Sequence, residues 1–185
     1  IDSVLVTQPD SAVTITDTSK NISCAGGNDG FIDITAVGGT PPYQYDWTNG
    51  LHTEDINNLT ANTYTVSVID NNNCVYTHTV TLTEPLPLEI DVLATDVSCY
   101  HMHDGSVDIT VSGGTPPYSY LWNTGAITED ISGLASGTYR VTVTDSLGCT
   151  KIAIAFLTEP LAPLTVTYTS INIRCHGGTN GAIDL

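Results

Sequence analysis

The chain has 185 residues and a net charge of -16, because 20 acidic residues outnumber 4 basic ones. This balance excludes nucleic acid as an expected partner, since phosphate binding needs a surface rich in lysine and arginine. No stretch approaches the roughly 20 consecutive apolar residues of a membrane-spanning helix, so direct membrane insertion is not expected. Abundant Thr, Ser, Asn and Gly are typical of an extracellular β-protein.

The sequence contains two full copies of one unit. The segment GGTPPY occurs at residues 38–43 and again at 113–118, and Trp47 recurs in phase as Trp122. Near-equal tandem copies are typical of an array that builds length and repeated surface, so we predict no enzymatic activity. The predicted domains are the tail of a preceding repeat at 1–9, complete repeats at 10–85 and 86–160, and the start of a third, truncated repeat at 161–185.

In chain order, the second repeat predicts six strands, near residues 88–97, 106–112, 118–123, 127–132, 138–145 and 149–158. Apolar residues alternate with Thr and Asp along them, which is the period-two pattern of a strand with one buried face. Trp122 is predicted to lie in the core, and Tyr139 after a Gly-Thr pair predicts a tyrosine corner. The predicted fold is all-β, with tandem small immunoglobulin/PKD-like β-sandwich domains arranged end to end.

The cysteines recur in phase, and none has the Cys-x-x-Cys spacing of a zinc site, so disulfides in an oxidising compartment are expected. Pairing within each repeat would join Cys24 to Cys74 and Cys99 to Cys149, leaving Cys175 to a partner outside the chain. Strands of about seven residues, however, separate the two cysteines of a repeat by more than roughly 20 Å. Pairing between repeats would instead join Cys24 to Cys149, and free thiols are the third alternative.

Recurring carboxylates suggest calcium as the one possible cofactor, because calcium prefers six to eight oxygen ligands. Solvated strand faces and turn-capping carboxylates are the alternative explanation for these residues. No other metal site is predicted. The candidate calcium ligands are Asp29, Asp33, Asp70, Glu84, Asp104, Asp108, Asp145 and Glu159.

The order of motifs closely resembles the SprB repeat. It runs Cys-x4-[Asp/Asn]-Gly, GGTPPY-x-Tyr-x-Trp, Leu-x-x-Gly-Thr-Tyr-x-Val-x-Val-x-Asp, Gly-Cys and Thr-Glu-Pro, with Asn62 and Asn73 in place of glycines in the first copy. The resemblance implies a very large cell-surface adhesin of gliding Bacteroidetes, exported by type IX secretion, that acts in surface attachment and gliding motility on the outer-membrane exterior. An array of carbohydrate-binding or spacer modules of a secreted glycan-active protein is the alternative.

The partners expected are neighbouring repeats of the same chain and an external surface or glycan of unknown identity. The proline turns Pro41, Pro42, Tyr43 and Pro116, Pro117, Tyr118 are candidate exposed contacts. Asp-Ser followed by an aliphatic residue or Ala resembles the O-glycosylation signal of Bacteroidetes, which makes Ser3, Ser11 and Ser146 candidate acceptors.

Overall fold

The computed structural model describes residues 11–174, 176–179 and 181–184, and its regular elements are all strands. No helix in this described part is long and apolar enough to cross a membrane. The strands are β1 Thr14–Lys20, β2 Gly30–Val37, β3 Gln44–Trp47, β4 Ile56–Leu59, β5 Asn62–Ile69, β6 Val75–Leu82, β7 Glu89–Thr95, β8 Gly105–Ser112, β9 Ser119–Trp122, β10 Ile131–Leu134, β11 Gly137–Thr144, β12 Thr150–Leu157, β13 Thr169–Ile171 and β14 Ala182–Asp184.

Strands β1 to β6 form the first sandwich. One antiparallel sheet has the order β1-β2-β4 and the other has the order β3-β5-β6. Burial alternates strictly along β2, where Ile32, Ile34 and Ala36 face inward. Val66 and Val68 of β5 meet them from the opposite sheet in one apolar core.

Strands β7 to β12 repeat this arrangement as the second sandwich. Its sheets have the orders β10-β8-β7 and β12-β11-β9, and its core includes Val107 and Ile109 from one sheet and Val141 and Val143 from the other. The two cores share no residue, and β13 pairs with β14 in a separate two-stranded sheet. The prediction of an all-β fold of tandem immunoglobulin-like sandwiches is confirmed.

Aromatic residues hold each sandwich at predicted positions. Trp47 and Trp122 are only 2% and 3% exposed, and each indole N–H donates to a backbone carbonyl, of Thr53 and Thr128 respectively. The hydroxyl of Tyr139 donates to the carbonyl of Ala135 at 2.9 Å, which is the predicted tyrosine corner. The core role of both tryptophans is confirmed.

The fourth strand of the second repeat starts later than the predicted 127–132, at Ile131. The reason is that residues before it form a side-chain-supported turn. The Asp130 carboxylate accepts from the backbone N–H of Ile109, and the Thr128 hydroxyl donates to the Asp130 carbonyl. The Asp130 side chain thus accepts the hydrogen bond from β8 that a backbone carbonyl of the predicted strand would have accepted.

The connection between the sandwiches is short and bonded on both sides. The carbonyl of Thr83 accepts from Ile22 of the first sandwich, and the carbonyl of Leu86 accepts from Gly114 of the second. Gly113 has a φ of +70°, and a Cβ there would lie 1.9 Å from the Pro87 carbonyl oxygen. The GGTPPY turn therefore needs its first glycine to let the connection pass close by.

Candidate functional site: the joint between the sandwiches

A disulfide between Cys24 and Cys149 joins the two sandwiches. Cys24 lies in the loop between β1 and β2, and Cys149 lies in the turn between β11 and β12. The two Cα atoms are 5.6 Å apart, and the bridge spans 125 residues of sequence. The Cys149 sulfur also contacts the carbonyl oxygen of Ser23 at 3.3 Å. The pairing between repeats is therefore the one that the structure contains.

The pairings within a repeat, Cys24 with Cys74 and Cys99 with Cys149, are not formed. Cys74 and Cys99 are exposed free thiols. The physical reason is the length of the strands: the first cysteine of each repeat precedes β2 or β8, while the second follows β5 or β11 at the opposite end of the sandwich. Cys175 lies outside the described residues.

A buried carboxylate shapes the turn that carries Cys149. Asp145 is 5% exposed, and its oxygens accept from the backbone N–H groups of Thr115, Leu147 and Cys149 at 2.9, 3.0 and 2.9 Å. Burial opposes the charged form, but these backbone donors outweigh it and lower the pKa of Asp145. The carboxylate thereby ties the β11–β12 turn to the GGTPPY turn and positions Cys149.

Asp70 does the same in the first sandwich. Its carboxylate accepts from the backbone N–H groups of Cys74, Thr40 and Asn72, and the bond from Cys74 is the largest cause of its lowered pKa. The two turns are therefore built alike, although Cys149 is bonded and Cys74 is free.

The loop that carries Cys24 is held by two carboxylates. Asp29 accepts from Lys20 at 2.7 Å and from the backbone and hydroxyl of Ser23, and the Lys20 contact is the largest cause of its lowered pKa. Glu84, from the end of the repeat, accepts from the backbone N–H of Gly26 at 2.6 Å. These contacts fix the loop on both flanks of the cysteine.

The second repeat keeps these contacts around Cys99. Asp104 accepts from the backbone N–H and the hydroxyl of Ser98, which lowers its pKa, and Glu159 accepts from the backbone N–H of His101 at 2.7 Å. The two remaining carboxylates of the calcium set, Asp33 and Asp108, are exposed on the outer faces of β2 and β8.

Six of the eight candidate calcium ligands thus accept hydrogen bonds within the protein. Among the described residues, no group of three or more His, Cys, Asp or Glu side chains is placed to hold a metal ion. Calcium binding stays a prediction, and the observed role of these carboxylates is to cap loops and turns.

The proline turns expose their prolines but not their whole aromatic rings. Both Pro-Pro bonds, Pro41–Pro42 and Pro116–Pro117, are cis, and all four prolines are exposed. The half-buried Tyr118 donates its hydroxyl to the Gly113 carbonyl at 2.6 Å, and Tyr43 donates likewise to Gly38. The contact surface offered by these turns is therefore mainly proline.

The candidate glycosylation serines differ in surroundings. Ser3 lies outside the described residues. Ser11 is exposed, whereas the hydroxyl of Ser146 donates to the Thr115 carbonyl at 2.9 Å. Modification of these serines stays a prediction.

One exposed feature was not predicted from the sequence. Ile152, Ile154 and Phe156 project outward from β12 and are 51%, 49% and 68% exposed. Leu121 of β9, 58% exposed, lies on the same outer face across β11. We call these four residues the apolar row. The signal was in the repeat alignment, because the equivalent positions of β6 are Thr77, Thr79 and Thr81.

Two segments of the chain match the family model described as the SprB repeat, residues 16–51 and 93–127. The predicted SprB-type repeat is confirmed. Each match begins within the first strand of a sandwich, includes its first cysteine, and ends shortly after its tryptophan. The repeats support assignment to a cell-surface adhesin.

No curated protein matches the chain. Among solved structures, it is similar to the N-terminal eight Ig domains of Down syndrome cell adhesion molecule, with 14% identity and a TM-score of 0.45 over 83% of this chain and 25% of that one. An intimin fragment in complex with the intimin-binding domain of its translocated receptor matches with 16% identity and a TM-score of 0.43 over 80% and 64%.

Domains 4–9 of the surface layer protein SbsC match with 16% identity and a TM-score of 0.34, over 90% of this chain and 33% of that one. The chain thus spans between a quarter and two thirds of the length of these three structures.

Asp145→Asn should weaken the turn that holds Cys149. An amide offers one acceptor oxygen, and its NH2 group faces a backbone donor, so at least one buried N–H loses its partner. Because the pKa of Asp145 is lowered by folding, its stabilisation is present above the ordinary value of 3.8 and is lost as the pH falls through the folded pKa. The wild-type second sandwich should therefore lose stability in acid, and the variant should lose less.

Urea titration at neutral and acidic pH, followed by backbone amide NMR signals, resolves the two sandwiches. Asp70→Asn is the matched control, since it should affect the first sandwich and leave the Cys149 turn unchanged. Equal acid sensitivity of the second sandwich in the wild type and in Asp145→Asn would show that this carboxylate does not supply the effect.

Proposed function

We propose that the chain is a load-bearing and adhesive segment of a cell-surface adhesin that serves surface attachment and gliding motility. The observation that carries the proposal is the Cys24–Cys149 bridge between consecutive sandwiches. A disulfide that stabilises a single fold is placed within that fold, whereas this one acts on the joint. A covalent bond at a joint is suited to a chain that transmits force.

The bridge changes the path of a pulling force. A force applied to the two chain ends passes from Cys24 directly to Cys149 through the sulfur atoms. Residues 25–148 lie inside the closed loop, so they carry no tension when the ends are pulled. Both hydrophobic cores consist largely of residues in this loop. The array would thus resist extension even if a sandwich unfolded.

Buried tryptophans disfavour the alternative of a carbohydrate-binding array. Sugar rings stack on exposed aromatic faces, and Trp47 and Trp122 are enclosed in the cores. Tyr45 and Tyr120 are half-buried on the same faces of their strands, and desolvation there raises the pKa of each to about 12. These four residues lie in or against the sandwich cores, which disfavours their use as stacking platforms for a glycan.

The apolar row is the adhesive contact that we assign to the second sandwich. Its cross-strand neighbours on β11 are Thr138, Arg140 and Thr142, so Arg140 is the one charge among them. On a chain of net charge -16, an uncharged, apolar surface that approaches this face would meet few charged side chains.

The first sandwich has a different outer face at the equivalent strands. It pairs threonine hydroxyls across β5 and β6, Thr65 with Thr79 at 2.9 Å and Thr63 with Thr81 at 3.0 Å. The two repeats therefore share a fold but present different surfaces, which makes each the control for the other.

Force spectroscopy tests the load-bearing role. Pulled from its ends, the oxidised chain should hide the length of 125 residues between Cys24 and Cys149, roughly 450 Å at about 3.6 Å per residue. Reduction should release that length. A chain with serine at Cys74, Cys99 and Cys175 is the control for disulfide exchange and should behave as the wild type. Equal extension before and after reduction would contradict the proposal.

A swap between the repeats tests the adhesive role. Replacing Ile152, Ile154 and Phe156 by threonine gives β12 the outer face of β6, and adsorption to a methyl-terminated surface should fall several-fold. The reciprocal variant, with Ile, Ile and Phe at Thr77, Thr79 and Thr81, should gain adsorption because it carries a second set of outward apolar side chains. Measurement by quartz microbalance shows both changes, and unchanged adsorption in both variants would refute the assignment.

A further inference from the structure

We infer that Cys99 and Cys74 are bonding positions for neighbouring repeats, so that the observed bridge is one link in a continuing series. Cys99 would bond to the second cysteine of the following repeat, and Cys74 to the first cysteine of the preceding one. The partner in each case is a module of this same kind. The inference concerns how repeats are joined and is independent of the surface that the array contacts.

Repeat equivalence is the first argument. When the two GGTPPY segments are aligned, Cys99 is the counterpart of Cys24 and Cys149 is the counterpart of Cys74. The bridge thus joins a first-position cysteine to a second-position cysteine of the next repeat. Of the two free thiols, Cys99 is at the first position of its repeat and Cys74 is at the second, so a further repeat on either side would supply the complementary cysteine.

The recurring scaffold of the loops is the second argument. The Glu84 bond to the Gly26 N–H recurs as the Glu159 bond to the His101 N–H, and donor and acceptor occupy equivalent positions in the two repeats. The carboxylates before the second cysteines, Asp70 and Asp145, likewise accept from the N–H of that cysteine. The free thiols are therefore presented by the same backbone contacts that present the bonded ones.

A groove beside Cys99 is the third argument. At the bridge, a groove of about 420 Å³ is bounded by Cys24, by Pro87 and Leu88 of the connection, and by the turn that carries Cys149. A groove of about 470 Å³ lies at Cys99, and its walls include Pro163 and Leu164, the counterparts of Pro87 and Leu88. Two of the three walls recur. The third wall is the position that a cysteine turn of the following repeat would take.

The solvent exposure of the four cysteines also separates the bonded pair from the free thiols. Cys24 and Cys149 are half-buried by their joint, whereas Cys74 and Cys99 are exposed. Cys74 precedes β6 at the far end of the first sandwich, and Cys99 precedes β8 at the far end of the second. The two free thiols therefore face away from the joint, where each is accessible to a neighbouring repeat.

The chemistry balances with an external disulfide as the oxidant. Bond formation removes one proton from each of the two thiols and two electrons from the pair. An oxidised thiol–disulfide oxidoreductase accepts them, because one thiolate attacks its disulfide and the second resolves the mixed disulfide. A sulfur–sulfur bond forms between the repeats, and the oxidant leaves as a dithiol.

The consequence is a set of overlapping loops. Cys99 lies within the loop that the Cys24–Cys149 bridge closes. A second loop that starts at Cys99 and ends in the following repeat would therefore overlap with the first. Tension would therefore pass from bridge to bridge through short segments such as residues 150–174, which include β12, while the strands enclosed by each bridge would be shielded from it. Each joint would be restrained in the same way as the one observed.

Disulfide mapping of the protein from its native cells tests the inference. Free thiols are trapped with N-ethylmaleimide at acidic pH, and the protein is digested without reduction. Cys99 is expected in a peptide linked to a second-position cysteine of another repeat, and Cys74 in a peptide linked to a first-position cysteine. Alkylated Cys99 and Cys74, a bond between these two, or links between cysteines of like position would overturn it.

A lengthened chain gives a second measurement. Residues 1–160 followed by another copy of residues 86–160 place a second-position cysteine after Cys99. Thiol titration of the folded, oxidised chain should find two free thiols, Cys74 and the first cysteine of the added copy. The control carries serine at the second-position cysteine of that copy and should show three. Four free thiols in the chain with the intact added copy, against three in the control, would overturn the inference.

Discussion

The joint depends on one covalent bond, the Cys24–Cys149 disulfide. Each sandwich is small, and a unit of roughly 75 residues buries a modest share of its unfolded surface. Closing a loop of 125 residues removes conformational entropy from the unfolded chain worth about 5 kcal/mol in the chain-entropy model. Because the loop includes most of both cores, both sandwiches gain from this stabilisation.

Carboxylates make that bond geometrically possible. A cysteine in a loose loop would sample many positions, and a disulfide requires Cα atoms within a narrow range of distance. Asp145 satisfies three backbone donors around the Cys149 turn, while Asp29 and Glu84 hold both sides of the Cys24 loop. Much of the acidity therefore has a local structural role, in addition to its effect on net charge.

The same loops explain why the repeat motif contains the residues it does. Gly113 admits the Pro87 carbonyl, Tyr118 closes the proline turn, and Trp122 fills the core beyond it. The motif GGTPPY-x-Tyr-x-Trp thus links a joint contact to a core contact. A motif of this kind ties the folding of a repeat to the placement of its neighbour.

Most of the fold was accessible from the sequence because its signals are local. Alternation along β8 and β11 is visible in Val107, Ile109, Val141 and Val143, and the tyrosine corner follows from Gly137-Thr138-Tyr139. The late start of β10 was missed, since the Asp130 contact with Ile109 joins residues far apart in the chain.

The site was predictable only in part. Strand length argued against a disulfide within a repeat. Whether the cysteines bridge the joint or stay free depends on how the two sandwiches meet, and the alternation of apolar and polar residues along a strand does not encode that contact. Carboxylates that recur at equivalent positions of the two repeats suggested calcium ligands. Recurrence alone, however, does not distinguish a metal ligand from a carboxylate that accepts a hydrogen bond from a backbone N–H. The apolar row does not follow from the shared repeat motif, because it lies at positions where the two copies differ, as at Thr79 and Ile154.

The central claim is that the bridge, and not the proline-containing connection alone, fixes the orientation of consecutive sandwiches. Residual dipolar couplings measured on the oxidised chain and on Cys24→Ser/Cys149→Ser test it most directly. Couplings from both sandwiches should fit one alignment tensor when the bridge is present and should require two different tensors when it is absent. Two tensors in the oxidised chain, or one shared tensor in the variant, would contradict the account.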